Sequence, residues 1–175
     1  MPKIQIIDMR EKLAAVKEKY GKSYYFEEQA HNEAAQLWGF EHANDSGVIL
    51  ETEKESIVEA GSCRAEIRFA QSSKGYFLMG ASADTAISGF GFLPGIFDMI
   101  GYPSREDAKA AGIERIQDFF QSELASKNSC SSDSNQKNIA ECLRLIEAEK
   151  SQPKLDLFSP VSAQTSQGGE YAQAR

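Results

Sequence analysis

Residues 63–70 alternate without a break. Ala65, Ile67 and Phe69 fall on one side of an extended chain, and Arg64, Glu66 and Arg68 on the other. A period of two, with β-branched and aromatic residues on the apolar side, specifies a half-buried strand. Residues 71–75, Gln-Ser-Ser-Lys-Gly, form a polar run ending on a glycine that tolerates positive φ, so they read as a turn. Tyr76, Phe77, Leu78 and Met79 supply the return strand, and residues 63–82 are expected to make one β-hairpin.

The segment that follows, residues 83–102, has no clear period. Residues 88–95, Ser-Gly-Phe-Gly-Phe-Leu-Pro-Gly, are too apolar to be left in water. Two readings are open. The aromatics fold back as a lid over the open side of the sheet, as the general burial of such side chains suggests. Otherwise they line a binding groove, with Phe90, Phe92, Leu93 and Phe97 as its residues. A helix opens at Ser104, an N-cap with Asp107 three residues on and acidic residues in the first turn. Ala108, Gly112, Ile116, Phe119 and Phe120 form its apolar face, flanked by Ile113 and Leu124, and Gly112 permits close approach to a neighbour. The helix is expected to pack across the hairpin, joining Ile116, Phe119 and Phe120 to Ile67 and Phe69.

Residues 3–7 read as an edge strand. Asp8 caps a helix over 9–20 with Met9, Leu13, Val16 and Tyr20 on one face. A second helix starts at Ser23, carries Phe26, Ala30, Ala34 and Leu37 with Trp38 beside them, and stops at Gly39. Residues 48–50 read as a strand, and 51–60 fit strand, helix or loop equally. The expected organisation is a helical N-terminal part of the core (1–45), a hairpin, Gly-rich loop and helix core (46–125) and a Ser/Asn-rich linker (126–135). An outlying helix (136–150) with Ile139, Cys142, Leu143 and Ile146 as its stripe follows, then a disordered tail (151–175). The fold class is α+β: a small antiparallel sheet of three or four strands packed with helices.

The 175 residues, 41% hydrophobic, suffice for one ordinary core. No apolar run is long enough to cross a membrane, and no signal-peptide hydrophobic region opens the chain. Cys63, Cys130 and Cys142 are odd in number and lack CxxC spacing, which fits reduced thiols in a cytoplasmic protein. A net charge of −7 argues against a globally basic nucleic-acid binder. It leaves room for a local strip, and Arg64, Arg68 and Lys74, extended by Arg105, are the candidate phosphate contacts. Glu28 and His31 have the Glu-x-x-His spacing of carboxylate-bridged metal sites, but only once. The Gly/Phe loop lacks both GxGxxG and a GK[ST] ending, and Cys63 has no activating neighbour in sequence. No catalytic residue, cofactor or metal ligand is assigned.

Residues 152–158, Gln-Pro-Lys-Leu-Asp-Leu-Phe, place three apolar side chains in a polar tail that has nothing local to bury them. This segment resembles the bacterial sliding-clamp-binding peptide, usually Gln-Leu-Asp/Ser-Leu-Phe. Leu155, Asp156, Leu157 and Phe158 match its last four positions; Lys154 stands at the first, and the nearest glutamine is Gln152. The resemblance implies docking on a protein partner, the sliding clamp, through these residues. Residues 63–123 are similar to accessory domains of phage and plasmid DNA-metabolism proteins, some associated with partitioning-like proteins or DNA methyltransferases. The element order is also similar to double-stranded-RNA-binding domains, although Glu106 and Asp107 stand where those carry a basic helix start. The expected function is a non-enzymatic accessory protein of phage- or plasmid-type DNA metabolism. The rivals are an inhibitor of a host defence nuclease and a small enzyme whose 83–102 loop covers an active site. No membrane partner is expected, and oligomeric state is left open.

Overall fold

The alternation of residues 63–70 becomes strand β3 (Cys63–Gln71) of a four-stranded antiparallel sheet. The computed structural model describes residues 3–126 and 132–151. In chain order it contains β1 (Ile7–Asp8), α1 (Arg10–Tyr20), a 3-10 helix (Gly21–Phe26), α2 (Glu28–Trp38), β2 (Glu53–Ala60), β3, β4 (Phe77–Asp84), β5 (Gly89–Phe92), β6 (Ile100–Gly101), α3 (Arg105–Ala125) and α4 (Asp133–Ser151). The sheet order is β2-β3-β4-β5, and β1 pairs with β6 in a separate two-stranded ladder. The stretch 51–60, ambiguous in sequence, is an edge strand: β3 offers an unpaired ladder to it, and tertiary pairing settles what local propensity leaves open.

The sheet is covered unequally on its two faces. Cys63, Ala65, Ile67 and Phe69 of β3 and Met79, Ala81 and Ala83 of β4 bury against α3 and α4. Ile67, Phe69, Ile116 and Phe120 share this core, with Phe119 partly buried at its margin, as the pattern implies. Gly112 faces Ile67 so closely that an added Cβ would lie 2.6 Å from Ile67 Cδ1. A side chain there would force the helix off the sheet. On the other face, Ala70 and Leu78 meet Trp38, Leu13, Met9 and Ile96 in a second core built by α1, α2 and the chain after β5. The rest of that face carries Arg64, Glu66, Ser82 and Asp84.

Several expectations are corrected. The last helix is not outlying: Ile139, Cys142 and Ile146 are buried in the main core beside Cys63 and Phe120. It begins at Asp133, inside the expected linker, because Ser132 Oγ accepts the Asn135 N–H as an N-cap does. Only residues 126 and 132 of that linker stay outside helices among the described residues. Residues 48–50 form no strand; Val48 makes an isolated bridge to Gly95, and Leu50 is exposed. The pairing expected for residues 3–7 is confined to Ile7 and Asp8. The chain after Tyr20 takes a turn of 3-10 helix before α2, which rotates Phe26 into solvent at 89% exposure. Ala30, Ala34, Ala35 and Trp38 make the buried face instead. Of the tail, residues 152–175 lie outside the described residues, and so do all five expected clamp contacts.

Candidate interaction site

The segment 83–102 is not a single groove, and only its second half covers the sheet face opposite α3 and α4: Pro94 lies against Gly80, and Ile96 and Phe97 join Ala70 and Leu78 in the second core. Thr85–Ser88 closes a tight turn, with the Thr85 N–H donating to the Ser88 carbonyl at 2.7 Å, and β5 returns beside β4 as the outer strand. Asn135 ties this turn to α4: its Oδ1 accepts the Ala86 N–H at 3.2 Å and lies 3.8 Å from the Cys63 thiol. Phe90 and Phe92 pair across from Ala83 and Ala81, so they point to the helix side of the sheet. The aromatic cover of the opposite face is therefore partial: Phe97 belongs to the core at its Ala70 and Leu78 end, and Arg64, Glu66 and Asp84 occupy the rest.

Strand β5 and helix α3 meet in a regular register. Ser88 Oγ donates to Glu123 Oε2 at 2.5 Å. The Phe90 ring lies 5.1 Å from that of Phe119, and the Arg115 guanidinium sits 5.5 Å from the Phe92 ring centre. Every second strand residue thus meets every fourth helix residue. Two strand steps of ~3.3 Å nearly equal four helix steps of ~1.5 Å, so the match persists along the contact. Phe90, Phe92, Arg115, Asp118 and Phe119 line a shallow cleft of about 280 Å³. Phe92 is 37% and Leu93 46% exposed, and Ile87 and Leu124 also reach solvent. An aromatic, partly open strand edge of this kind suits the addition of another strand.

Phe97, the fourth expected loop residue, is elsewhere. It is buried in an aromatic cluster with Tyr24 and Tyr25, ring centres 5.2 and 4.9 Å away, and with His31 at 5.2 Å. His31 Nε2 contacts the Tyr25 carbonyl at 2.8 Å, so this nitrogen is tied to the 3-10 helix. Asp98 follows and accepts the Gly95 N–H at 2.8 Å. Burial pushes its carboxyl up to about 6, against the pull of the Gly95 hydrogen bond and of Arg115.

The four expected phosphate contacts are not one strip. Arg64 and Arg68 share the open sheet face, where Arg64 pairs with Asp84 at 3.1 Å and Arg68 with Glu66 at 3.2 Å. Glu66 also holds Lys54. The Lys54 hydrogen bond and the Arg68 charge keep the Glu66 carboxyl below its ordinary range. Lys74 is drawn to the C-terminus of α2, donating to the Gln36 and Leu37 carbonyls at 2.8 and 2.9 Å. Arg105 sits on the helix side, stacked 4.3 Å from Phe69 and paired with Glu53 and Glu55 at 2.6 and 2.8 Å. Alternation fixes the first two; only tertiary contacts decide the others.

Sequence reasoning missed Arg115 and Glu123 as site residues. Their spacing around Phe119, four residues to either side, is a legible helical stripe once a strand is known to lie against it. Among the described residues no group of three or more His, Cys, Asp or Glu is placed to hold a metal ion. A second cleft, about 460 Å³ between residues 39–51 and the β3–β4 turn, carries His42 and Glu41 on its wall. Comparison with protein-family models, with curated proteins and with solved structures finds no match.

Proposed function

We propose that this chain is a non-enzymatic adaptor of phage- or plasmid-type DNA metabolism, a folded domain that carries a sliding-clamp-binding peptide. The observation that supports the reading is the anchoring of α4. Ile139, Cys142 and Ile146 fix the helix in the core, and Lys109 pairs with Glu149 at 2.5 Å near its end. Lys150 contacts Gln117, and Ser151 Oγ donates to the Glu147 carbonyl. The peptide of residues 152–158 therefore follows directly on a helix whose last turn is held to the domain. Such a tether would fix the distance between the folded domain and whatever the peptide binds.

Leu157 and Phe158 would each contribute ~1.5–3 kcal/mol by filling an apolar pocket of the clamp. Leu157→Ala with Phe158→Ala is therefore expected to weaken clamp binding by a hundredfold or more, roughly 3–6 kcal/mol. The melting temperature should stay that of the parent. Unchanged clamp affinity in the double variant overturns the reading, as does a melting temperature lowered by several degrees, which would place the triplet on its own domain.

A further inference from the structure

From the β5 edge we infer that a second copy of this chain docks there, strand β5 against strand β5, around a two-fold axis through Phe90. The ladder with β4 assigns the backbone groups. The Thr85 N–H to Ser88 carbonyl bond makes 85/88 a hydrogen-bonded pair, so Ala83/Phe90 and Ala81/Phe92 are bonded pairs as well. The N–H and C=O groups of Gly89 and Gly91 then point away from β4, along the outer edge. Neither glycine presents a side chain, neither has positive φ, and no charged residue, proline or bulge blunts the edge. An antiparallel copy centred on Phe90 sets Gly89 against the second Gly91 and Gly91 against the second Gly89. Each such pair exchanges both of its outward bonds.

The flanking helix explains why the occupant is a copy rather than an arbitrary strand. Arg115, Phe119 and Glu123 project from α3 onto Phe92, Phe90 and Ser88, giving the sequence cation, aromatic, anion along the edge. Reversal by the two-fold axis places Arg115 against the second Glu123, Phe119 against the second Phe119 and Glu123 against the second Arg115. The stripe is thus its own complement, which is the requirement for an isologous interface. Arg115 has no ion-pair partner among the described residues, although its charge acts on Asp98. Phe92, Leu93, Ile87 and Leu124 supply the exposed apolar area around the axis. With α3 above β4, the two copies of α3 would lie ~14 Å apart, a gap that these aromatic and long side chains span.

Sedimentation equilibrium of the full chain is the test. The parent should show a reversible dimer that weakens as salt rises. Arg115→Glu and Glu123→Lys should each lower self-association about tenfold or more by setting like charges opposite each other. An equimolar mixture of the two should recover a dimer, because both cross-pairs are then opposite in sign. Gly91→Pro removes an outward N–H at an edge position that tolerates proline, and should also dissociate the dimer while melting as the parent does at concentrations where the parent is itself monomeric. A parent that stays monomeric at hundreds of micromolar overturns the inference. So does a dimer that survives all three variants, or a mixture that fails to recover it. Loss of the dimer in the Leu157→Ala, Phe158→Ala variant would show that the tail, not a second β5, fills the edge, and would overturn it too. The inference does not depend on clamp binding, and each can fail alone.

Discussion

The two edges of the sheet are built in opposite ways. β2 is eight residues long, carries Glu53, Lys54, Glu55 and Glu59, and is bulged between Ser56 and Val58. Arg105 and Lys109 of α3 reach over it to Glu53 and Glu55, and α4 packs alongside. β5 is four residues of alternating glycine and phenylalanine, with bare backbone outward and rings half open. Charge, bulge and a covering helix are the usual devices that stop a strand from recruiting another, and β2 has all three. β5 is flanked by α3 on one face, but its own four residues carry neither charge nor bulge. The difference teaches that one edge is closed by design and the other is available for pairing.

The largest effect should come from the layer that supports both edges. Phe120 is fully buried between α3 and the sheet. Phe120→Ala should cost ~3–5 kcal/mol, the range for emptying a filled aromatic site, measured as a shift of the denaturation midpoint. A midpoint equal to the parent's would mean that α3 does not hold the edges in place.

Titration should separate the edges next. Burial raises the Glu55 carboxyl, but the Lys109 and Arg105 cations outweigh it and hold the group below its ordinary range. Its contribution is therefore present above the unfolded pKa and lost as pH falls through the lower folded value. Asp98, on the chain leaving β5, has the reverse sign. Its folded value of about 6 lies above the ordinary 3.8, so its contribution falls as pH rises from about 4 to about 6. Asp98→Asn keeps an oxygen for the Gly95 N–H and removes the titration. It should stabilise the fold at pH 7 by roughly 2–3 kcal/mol, fading toward pH 4, in melts across that window. A gain that does not depend on pH would contradict the assignment.

The smallest effect on stability is expected at the open edge itself. Phe92→Ala should lower it by about 1–2 kcal/mol, because a side chain more than a third exposed gives up less burial than Phe120. Self-association should fall in the same variant. A large loss of stability with association intact would make Phe92 a core residue and weaken the contrast between the edges.

Much of this frame was legible in sequence, and for definite reasons. The 63–69 alternation, the Ser104 cap and the Gly112 approach are local rules, and each reappears: Ser104 Oγ accepts the Asp107 N–H at 3.0 Å. The β5 edge was not legible as a strand, since Gly-Phe-Gly-Phe carries the period of two with glycine where a polar residue usually marks it. The start of α4 was hidden because Ser132, Asp133 and Asn135 are loop formers by composition, yet here they cap the helix and bind the β4–β5 turn. The basic strip failed as a strip because side chains 64, 68, 74 and 105 find partners on four different elements. Phe90, Phe92, Leu93 and Phe97 were grouped by proximity in sequence, and the fold sends Phe97 to the other core.

The contrast between the edges implies that β5 pairs between copies while β2 stays closed. Amide hydrogen exchange of the full chain, followed at rising protein concentration, tests it at the atoms concerned. The Gly89 and Gly91 amides should become protected as concentration rises, while the amides of β2 exchange at rates independent of it. Gly89 and Gly91 exchanging equally fast at every concentration, or β2 gaining the protection in their place, would contradict it.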